Sequence, residues 1–438
     1  MPINMRIIPS PLRGTIPAIA SKSMAHRLLI MAALCPGTTD INCNTTSQDI
    51  DATVGCLEAL GARIAYTRLG FRVNPLPGTP ATDNRRMART NAHLDCGESG
   101  STLRFMLPVV AALGRGATLD GHGRLVSRPL SPLYEELVSH GVTLSARGAL
   151  PLTIAGQLLP GRFTIPGNVS SQFVSGLLMA APLLCSPTEI VVTEPVESRS
   201  YTGLTIRALE EFGINVDVSH ETMDGSPSTV FSVSPARGAV SPGEVTVEGD
   251  WSNSAFWLAS GAISGSVGVT GLDPASAQGD RAILACLAAL GARVSRSGSM
   301  ASATHDKLVG RTIDVRDIPD LVPPIAAVAA NAEGTTVIAN AGRLRLKESD
   351  RLATVSAVLA AMGADVHAEN DSLVIHGHSP LSGGVVDAAN DHRIAMMAAI
   401  AGANATGPTT IRGAECVAKS YPRFFEDFRA LGGIAEKG

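Results

Sequence analysis

Aromatic side chains are scarce in this 438-residue chain, at 4%, and charged ones make up only 17%. Its cores must therefore be filled with aliphatic residues, and a hydrophobic content of 45% with 44 Gly and 27 Pro fits a turn-rich α/β protein. A basic excess is missing as well. The 35 Lys and Arg stand against 39 Asp and Glu, for a formal net charge of −4. Polyanion binding normally needs a strong positive balance, which argues against nucleic acid as the main partner, and any anionic ligand must be met by local clusters of Lys and Arg. The seven Cys, at 35, 43, 56, 96, 185, 286 and 416, are odd in number, scattered and without C-x-x-C spacing. That argues against a disulfide framework or a zinc site and for a reducing, cytoplasmic setting, with no metal expected. No apolar run reaches the roughly 18 residues of a membrane span, so no membrane partner is expected. Lys22 to Arg27 followed by "LLIMAALC" departs from a secretory leader, since Leu34 stands where a small residue is needed and prolines precede Lys22.

What the chain does contain is an echo of itself. "LEALGARI" (57–64) returns as "LVSHGVTL" (137–144), "LEEFGINV" (209–216), "LAALGARV" (287–294), "LAAMGADV" (359–366) and, degraded, "FRALGGIA" (428–435). The glycines fall at 61, 141, 213, 291, 363 and 432, separated by 80, 72, 78, 72 and 69 residues. Each echo reads as the end of an amphipathic helix, a Gly suited to a left-handed cap, and the start of a strand. The repeating unit is thus a mixed α/β element of roughly 70 to 80 residues. Three copies precede residue 240 and three follow it, and the Gly- and Pro-rich "SPARGAVSPGEVTVEGDW" ending at Trp251 reads as a hinge between two lobes.

Charge is concentrated in a few short stretches. "SKSMAHR" (21–27) begins a helix that Ser21 can cap, with Lys22, Ser23 and Arg27 near its first turns, where backbone N–H groups and cations could meet an anion. A solvated basic turn is the bland alternative. "GESGSTLRF" (97–105) is a Gly- and hydroxyl-rich turn entering an apolar helix and carrying Arg104; no G-x-x-x-x-G-K-[ST] occurs in the chain, which argues against nucleotide hydrolysis. "GHGRLVSRP" (121–129) offers Arg124 and Arg128 as forked anion ligands, or as partners in structural salt bridges. In "GNVSSQF" (167–173), Ser170, Ser171 and Gln172 present neutral donors at a helix start, with plain capping as the alternative. The second half holds "IPDLVPP" with Asp320, "LRLKESDRL" with Lys347, Glu348, Asp350 and Arg351, "NDHRIAM" with Asp391, His392 and Arg393, and "AKSYP" with Lys419. If residues from 348 onward are helical, Lys347 and Arg351 share a face with Glu348 beside them and Asp350 on another; an ordinary surface ion-pair network would look the same.

Taken in order and across nearly the whole chain, these fragments resemble the EPSP synthases, the 3-phosphoshikimate 1-carboxyvinyltransferase family of enolpyruvyl transferases. The resemblance implies a two-lobed, inside-out α/β barrel fold in which each lobe is three βαβαββ repeats and the active site lies in the interdomain cleft. It further implies a discontinuous C-terminal lobe, residues 1–20 with 242–438, and an N-terminal lobe, 21–241. The reaction it implies moves the enolpyruvyl group of phosphoenolpyruvate onto the 5-hydroxyl of shikimate 3-phosphate through a tetrahedral intermediate, releasing phosphate, in the shikimate pathway of aromatic amino acid biosynthesis. No cofactor is implied, the two substrates are the expected partners, and a cytoplasmic monomer is the expected form. Carried over by motif, Lys22, Ser23, Arg27, Ser170, Ser171, Gln172, Ser198, Asp320 and Lys347 would bind shikimate 3-phosphate, with Tyr201 near its ring. Lys22, Gly100, Arg124, Gln172, Arg351, Arg393 and Lys419 would hold phosphoenolpyruvate. Asp320 would serve as base at the 5-hydroxyl, Glu348 as acid and base at the methylene carbon, and Lys22 would assist catalysis. The chain departs from the family in carrying Glu98-Ser99-Gly100-Ser101 where many members have Asn-Ala-Gly-Thr, and in having no equivalent near Arg343 of an Asn found in some relatives. The alternatives are the sister enzyme acting on UDP-N-acetylglucosamine, which has a Cys where this chain has Gly123, and a non-catalytic anion-binding protein on the same scaffold.

Overall fold

The computed structural model describes residues 3–77, 91–145, 149–223, 225–236, 238–377 and 380–438. The chain divides into two compact units, one spanning Lys22–Val247 and the other joining the residues up to Ser21 with Glu248–Gly438. The change of unit falls a few residues beyond position 242, because strand Glu244–Thr246 pairs in parallel with Thr39–Asn42 and so stays with the first unit. The helices of the first unit are α1 (Lys22–Leu34), α2 (Gln48–Ala59), α3 (Gly100–Leu113), α4 (Leu133–Ser139), α5 (Ser171–Ala180) and α6 (Arg199–Glu210). Those of the second are α7 (Trp251–Ser264), α8 (Ile283–Ala289), α9 (Val322–Ala329), α10 (Arg351–Ala361), α11 (His392–Ala403) and α12 (Phe424–Ala430).

The described residues form six four-stranded sheets, three in each unit, on one plan. In the sheet that holds α5 and α6, Arg162–Pro166 runs parallel to Thr188–Thr193, which pairs antiparallel with Ser226–Val233, the second arm of a hairpin begun by Val216–Met223. This is a βαβαββ unit, whose parallel pair needs a helical crossover and whose hairpin does not. Three sheets are completed by strands remote in sequence. Arg13–Pro17 lies parallel to Ser266–Thr270, Met5–Ile8 fits between Thr409–Arg412 and Ile434–Lys437, and Glu244–Thr246 supplies the first strand of the first repeat.

The echoed glycines are the turning points of these units. All six have positive φ, from 74° at Gly213 to 106° at Gly61, a region where a Cβ is strained. In five of the six copies the N–H after the glycine closes a bond to a carbonyl five residues back, as from Ala62 to Leu57, Ile214 to Leu209, Ala292 to Leu287, Ala364 to Leu359 and Gly433 to Phe428, at 2.9–3.0 Å. This Schellman closure satisfies helix-end carbonyls. The residue giving that carbonyl is the buried Leu or Phe that opens each echo, so one residue anchors the helix to the core and ends it.

Alternate helices are apolar on every side. All residues of α9 and α11 are buried, as are nearly all of α1, α3, α5 and α7, whereas α2, α6, α10 and α12 bury one face. A helix apolar all round must lie in an interior. In the second unit α7, α9 and α11 pack against one another, and in the first α3 packs on α5. Strands such as Leu152–Gly156 alternate buried and exposed residues, as expected for sheets with one face to solvent.

Candidate active site

In the first unit the candidate residues gather at the starts of α1, α3, α5 and α6, where the positive ends of the helix dipoles favour negative charge. Lys22 and Ser23 open α1, and Lys22 Nζ lies 2.7 Å from Asp49 Oδ2 in α2. Arg27 is 2% exposed and ties three helices together. Its Nε donates to Thr205 Oγ1 at 2.7 Å, Nη1 to the Ser23 carbonyl at 2.6 Å, and Nη2 to Ser175 Oγ and the Tyr201 carbonyl, both at 3.1 Å. The guanidinium also stacks over Phe105, 4.9 Å from the ring centre, and burial lowers its pKa to about 10, still charged at neutral pH. Ser170 caps α5 by accepting from Gln172 N. The Gln172 side chain then spans to α3, donating to Ser101 Oγ at 2.9 Å and accepting from Arg104 Nη1 at 3.0 Å. Ser198, the residue before α6, is buried with φ 57° and ψ 41°, a left-handed conformation unusual outside glycine and frequent at ligand sites.

Gly100 is the first residue of α3, behind its cap Ser99. A Cβ there would lie 2.3 Å from Arg128 Nη1 and 2.7 Å from Arg104 Nη1, so only glycine leaves both guanidiniums in place. Arg124 stands exposed in the 3-10 turn Gly123–Ser127. Gly123 itself has φ +58°, and a Cβ on it would fall 2.5 Å from the Glu98 carboxylate. A Cys at this place would therefore meet both backbone strain and the Glu98 side chain.

The second unit gathers its candidates the same way, ahead of α9, α10, α11 and α12. Residues 348–350 are not helical as the expected face-sharing requires: α10 begins at Arg351, with Asp350 as its cap. The reason is local, since Asp is favoured at a cap over a helix interior. Asp350 Oδ1 accepts from Ala353 N at 3.1 Å and its other oxygen from Arg345, which gives it a structural job. Lys347 and Glu348 reach Asp320 and Arg351 all the same, from the bend that precedes the helix.

Arg351 is the hub. At 1% exposure it donates from Nη1 to Asp320 Oδ1 at 2.8 Å, from Nη2 to Glu348 Oε2 at 2.6 Å and Asp391 Oδ1 at 3.2 Å, and from Nε to Asp391 Oδ2 at 2.8 Å. Burial works against its charge, but the carboxylates of Asp391, Glu348 and Asp320 outweigh it and raise its pKa. Asp320, in the turn Pro319–Leu321, also receives Arg393 Nη2 at 3.2 Å and has Lys347 Nζ 3.4 Å away. Desolvation pushes the Lys347 pKa down, and Asp320 offsets part of that. Lys419 donates to the Asn390 carbonyl at 2.7 Å, and Ala389 and Asn390 both carry left-handed φ, near 51° and 53°, to deliver it. Behind Asp320, the buried Asp280 accepts from Ser252, and burial, then the Asp320 charge, raise its pKa to about 6.

Two carboxylates that hold candidate cations, and a third behind Asp320, carried no role on sequence grounds. Asp49 holds Lys22, and Asp391 both caps α11 and grips Arg351; Asp280 sits behind Asp320. Asp391 could have been found from its place before a helix start, whereas Asp49 and Asp280 lie in stretches that look like ordinary helix. Among the described residues, no group of His, Cys, Asp and Glu could hold a metal ion, and no helix is long and apolar enough to cross a membrane.

Comparison with known proteins identifies the family. The family model described as EPSP synthase (3-phosphoshikimate 1-carboxyvinyltransferase) matches residues 7–428. The chain belongs to the EPSP synthase family. It is 42% identical over 430 residues to the 3-phosphoshikimate 1-carboxyvinyltransferase of Clostridium kluyveri, covering 98% of this chain and 97% of that one. It is 38% identical to the enzyme of the same name from Clostridium novyi, covering 99% and 98%. The solved EPSP synthase of Acinetobacter baumannii superposes with a TM-score of 0.79 at 26% identity, covering 100% of both chains. The inside-out α/β fold of EPSP synthases is thus the fold of this chain, and the sister-enzyme alternative is not favoured.

Proposed function

We propose that this EPSP synthase uses the two clusters above to transfer the enolpyruvyl group of phosphoenolpyruvate to the 5-hydroxyl of shikimate 3-phosphate. The observation that carries the reading is Arg351 bound to Glu348, Asp320 and Asp391 at one buried point. Both substrates are polyanions, so bringing them together needs fixed cations; proton transfer at two atoms needs two carboxyl groups. Asp320 takes the hydroxyl proton and yields it to the departing phosphate, while Glu348, in its protonated form, protonates the methylene carbon and takes a proton back from it as phosphate leaves. Arg351 has most of its donors engaged by protein carboxylates, so it binds the carboxylate of phosphoenolpyruvate by releasing Glu348. One exchange thereby seats the substrate and frees the acid. Arg393, Lys419, Lys22, Arg124 and the Gly100 backbone also serve phosphoenolpyruvate, while Ser23, Arg27, Ser170, Ser171, Gln172, Ser198, Tyr201 and Lys347 serve shikimate 3-phosphate. The chain works without a cofactor, as a cytoplasmic monomer in aromatic amino acid biosynthesis; light scattering checks the monomer.

The deciding assay is phosphate release with both substrates, each omitted in turn. Release is expected only with both together. Release that depends on UDP-N-acetylglucosamine instead, or ligand binding without turnover, would replace this reading. A second expectation concerns the α3 turn. Gly100→Ala forces Arg128 and Arg104 aside and should raise KM for phosphoenolpyruvate by roughly tenfold, with a smaller effect on shikimate 3-phosphate. Equal effects on both substrates would show that the turn is not part of the phosphoenolpyruvate pocket.

A further inference from the structure

His26 lies one turn after Lys22 on α1 and has no part in the reading above. Its side chain begins a chain of hydrogen bonds that crosses three helices and returns. His26 Nδ1 is 2.7 Å from Thr53 Oγ1 in α2, and Thr53 Oγ1 is 2.8 Å from Thr102 Oγ1 in α3. Thr102 donates to Ser99 Oγ at 2.8 Å, and Ser99 caps α3 by accepting from Thr102 N at 3.2 Å. The Thr102 hydroxyl also lies 3.4 Å from the carbonyl of Asp49, whose carboxylate holds Lys22. The path therefore links α1 to the Ser99–Gly100–Ser101 turn and comes back to α1 at Lys22. His26, Thr53, Thr102 and Ser99 are each 1% exposed or less.

The chain has a direction. A hydroxyl has one proton, and Thr102 gives its own to Ser99, with the Asp49 carbonyl as a second acceptor, and a carbonyl can only accept. Thr102 must then accept from Thr53, and Thr53 from His26. That requires the imidazole proton on Nδ1. Nε2 is buried with no polar partner, beside the edge-packed ring of Phe105, 6.4 Å between centres. A bare lone pair is the cheaper group to leave there, because orphaned buried N–H groups are the rarer and costlier case. Burial first, then the charges of Lys22 and Arg27, hold the ring's pKa well below its usual value, so a second proton does not reverse the pattern.

We infer that His26 is a positioning residue: through a one-way relay of hydroxyls it orients Ser99 and Thr102 and so sets the α3 turn against Lys22. The inference rests on the reading that Lys22 and the Gly100 turn serve phosphoenolpyruvate. Five variants of the full chain test it. His26→Leu and Thr53→Val break the first link and should each raise KM for phosphoenolpyruvate about tenfold, with kcat and KM for shikimate 3-phosphate within about threefold. His26→Asn, whose amide nitrogen falls near Nδ1, should restore the normal value, and His26→Gln, whose donor falls near Nε2, should not. Imidazole 15N spectra of the unaltered protein should show Nδ1 protonated and Nε2 bare. The Nε2–H tautomer would overturn the relay even if His26→Leu does not fold, and so would a normal KM in His26→Leu while Lys22→Ala raises it. If Lys22→Ala also leaves that KM unchanged, the placement of phosphoenolpyruvate fails instead, and the tautomer alone decides the relay.

Discussion

Glu348→Gln should lower turnover by roughly a hundredfold or more while both substrates bind with near-normal KM. The substitution is nearly isosteric, and the amide oxygen can still accept from Arg351 Nη2, now 2.6 Å from Glu348 Oε2. What disappears is the proton. A carboxyl can deliver one to carbon and take one back, whereas an amide can do neither at neutral pH. The loss should therefore fall on kcat and leave ground-state binding in place, the pattern of an interaction made only in the transition state. Steady-state kinetics with both substrates varied, together with equilibrium binding of shikimate 3-phosphate, provide the check. Turnover within fivefold of normal would move the acid role away from Glu348 and leave it as a partner of Arg351 alone.

The largest expected change in stability comes from Asp391→Ala. Asp391 is fully buried and meets Arg351 with both oxygens, at 2.8 and 3.2 Å, while Oδ1 also accepts from Arg393 N at 3.0 Å and Ser349 donates to Oδ2 at 2.9 Å. Removing one partner of a buried pair leaves an uncompensated charge, at a cost of about 3–5 kcal/mol. Loss of the α11 cap adds about 1 kcal/mol. Asp320 and Glu348 remain on Arg351 and moderate the first figure. Asp391→Asn keeps an acceptor for the cap and should lose less than Asp391→Ala. Urea unfolding followed by tryptophan fluorescence suits the measurement, because Trp251 and Trp257 both belong to this unit and are buried in its core. A loss below about 1 kcal/mol in Asp391→Ala would mean that Arg351 is held well enough by its other carboxylates.

These two residues differ in how far the sequence revealed them. Glu348 stood out because it sits in a crowded charged stretch of a chain with little charge, and the resemblance to the family attached a role to it. Asp391 was visible as part of "NDHR", but its grip on Arg351, forty positions away, was not. The helical reading of residues 348–350 failed for a related reason. Spacing alone puts Lys347 and Arg351 on one face, yet the cap preference of Asp350 starts the helix three residues later than that reading assumes. The contacts form from a bend instead, by a route that periodicity does not describe.

By itself the sequence determined the sixfold repeat, the helix ends and the helix starts at which the charged residues collect. Each of these depends on bonds closed within a few residues: the cap of Ser170 on Gln172, or the Leu57 carbonyl on Ala62. Only the tertiary structure decided which strands complete which sheets, that Asp49 holds Lys22, and that one buried guanidinium gathers Asp320, Glu348 and Asp391. Apart from Glu348, which stands three positions before Arg351, these pairings join residues tens to hundreds of positions apart. No local preference encodes them, because they become favourable only when the closing repeats have taken the partners out of water together.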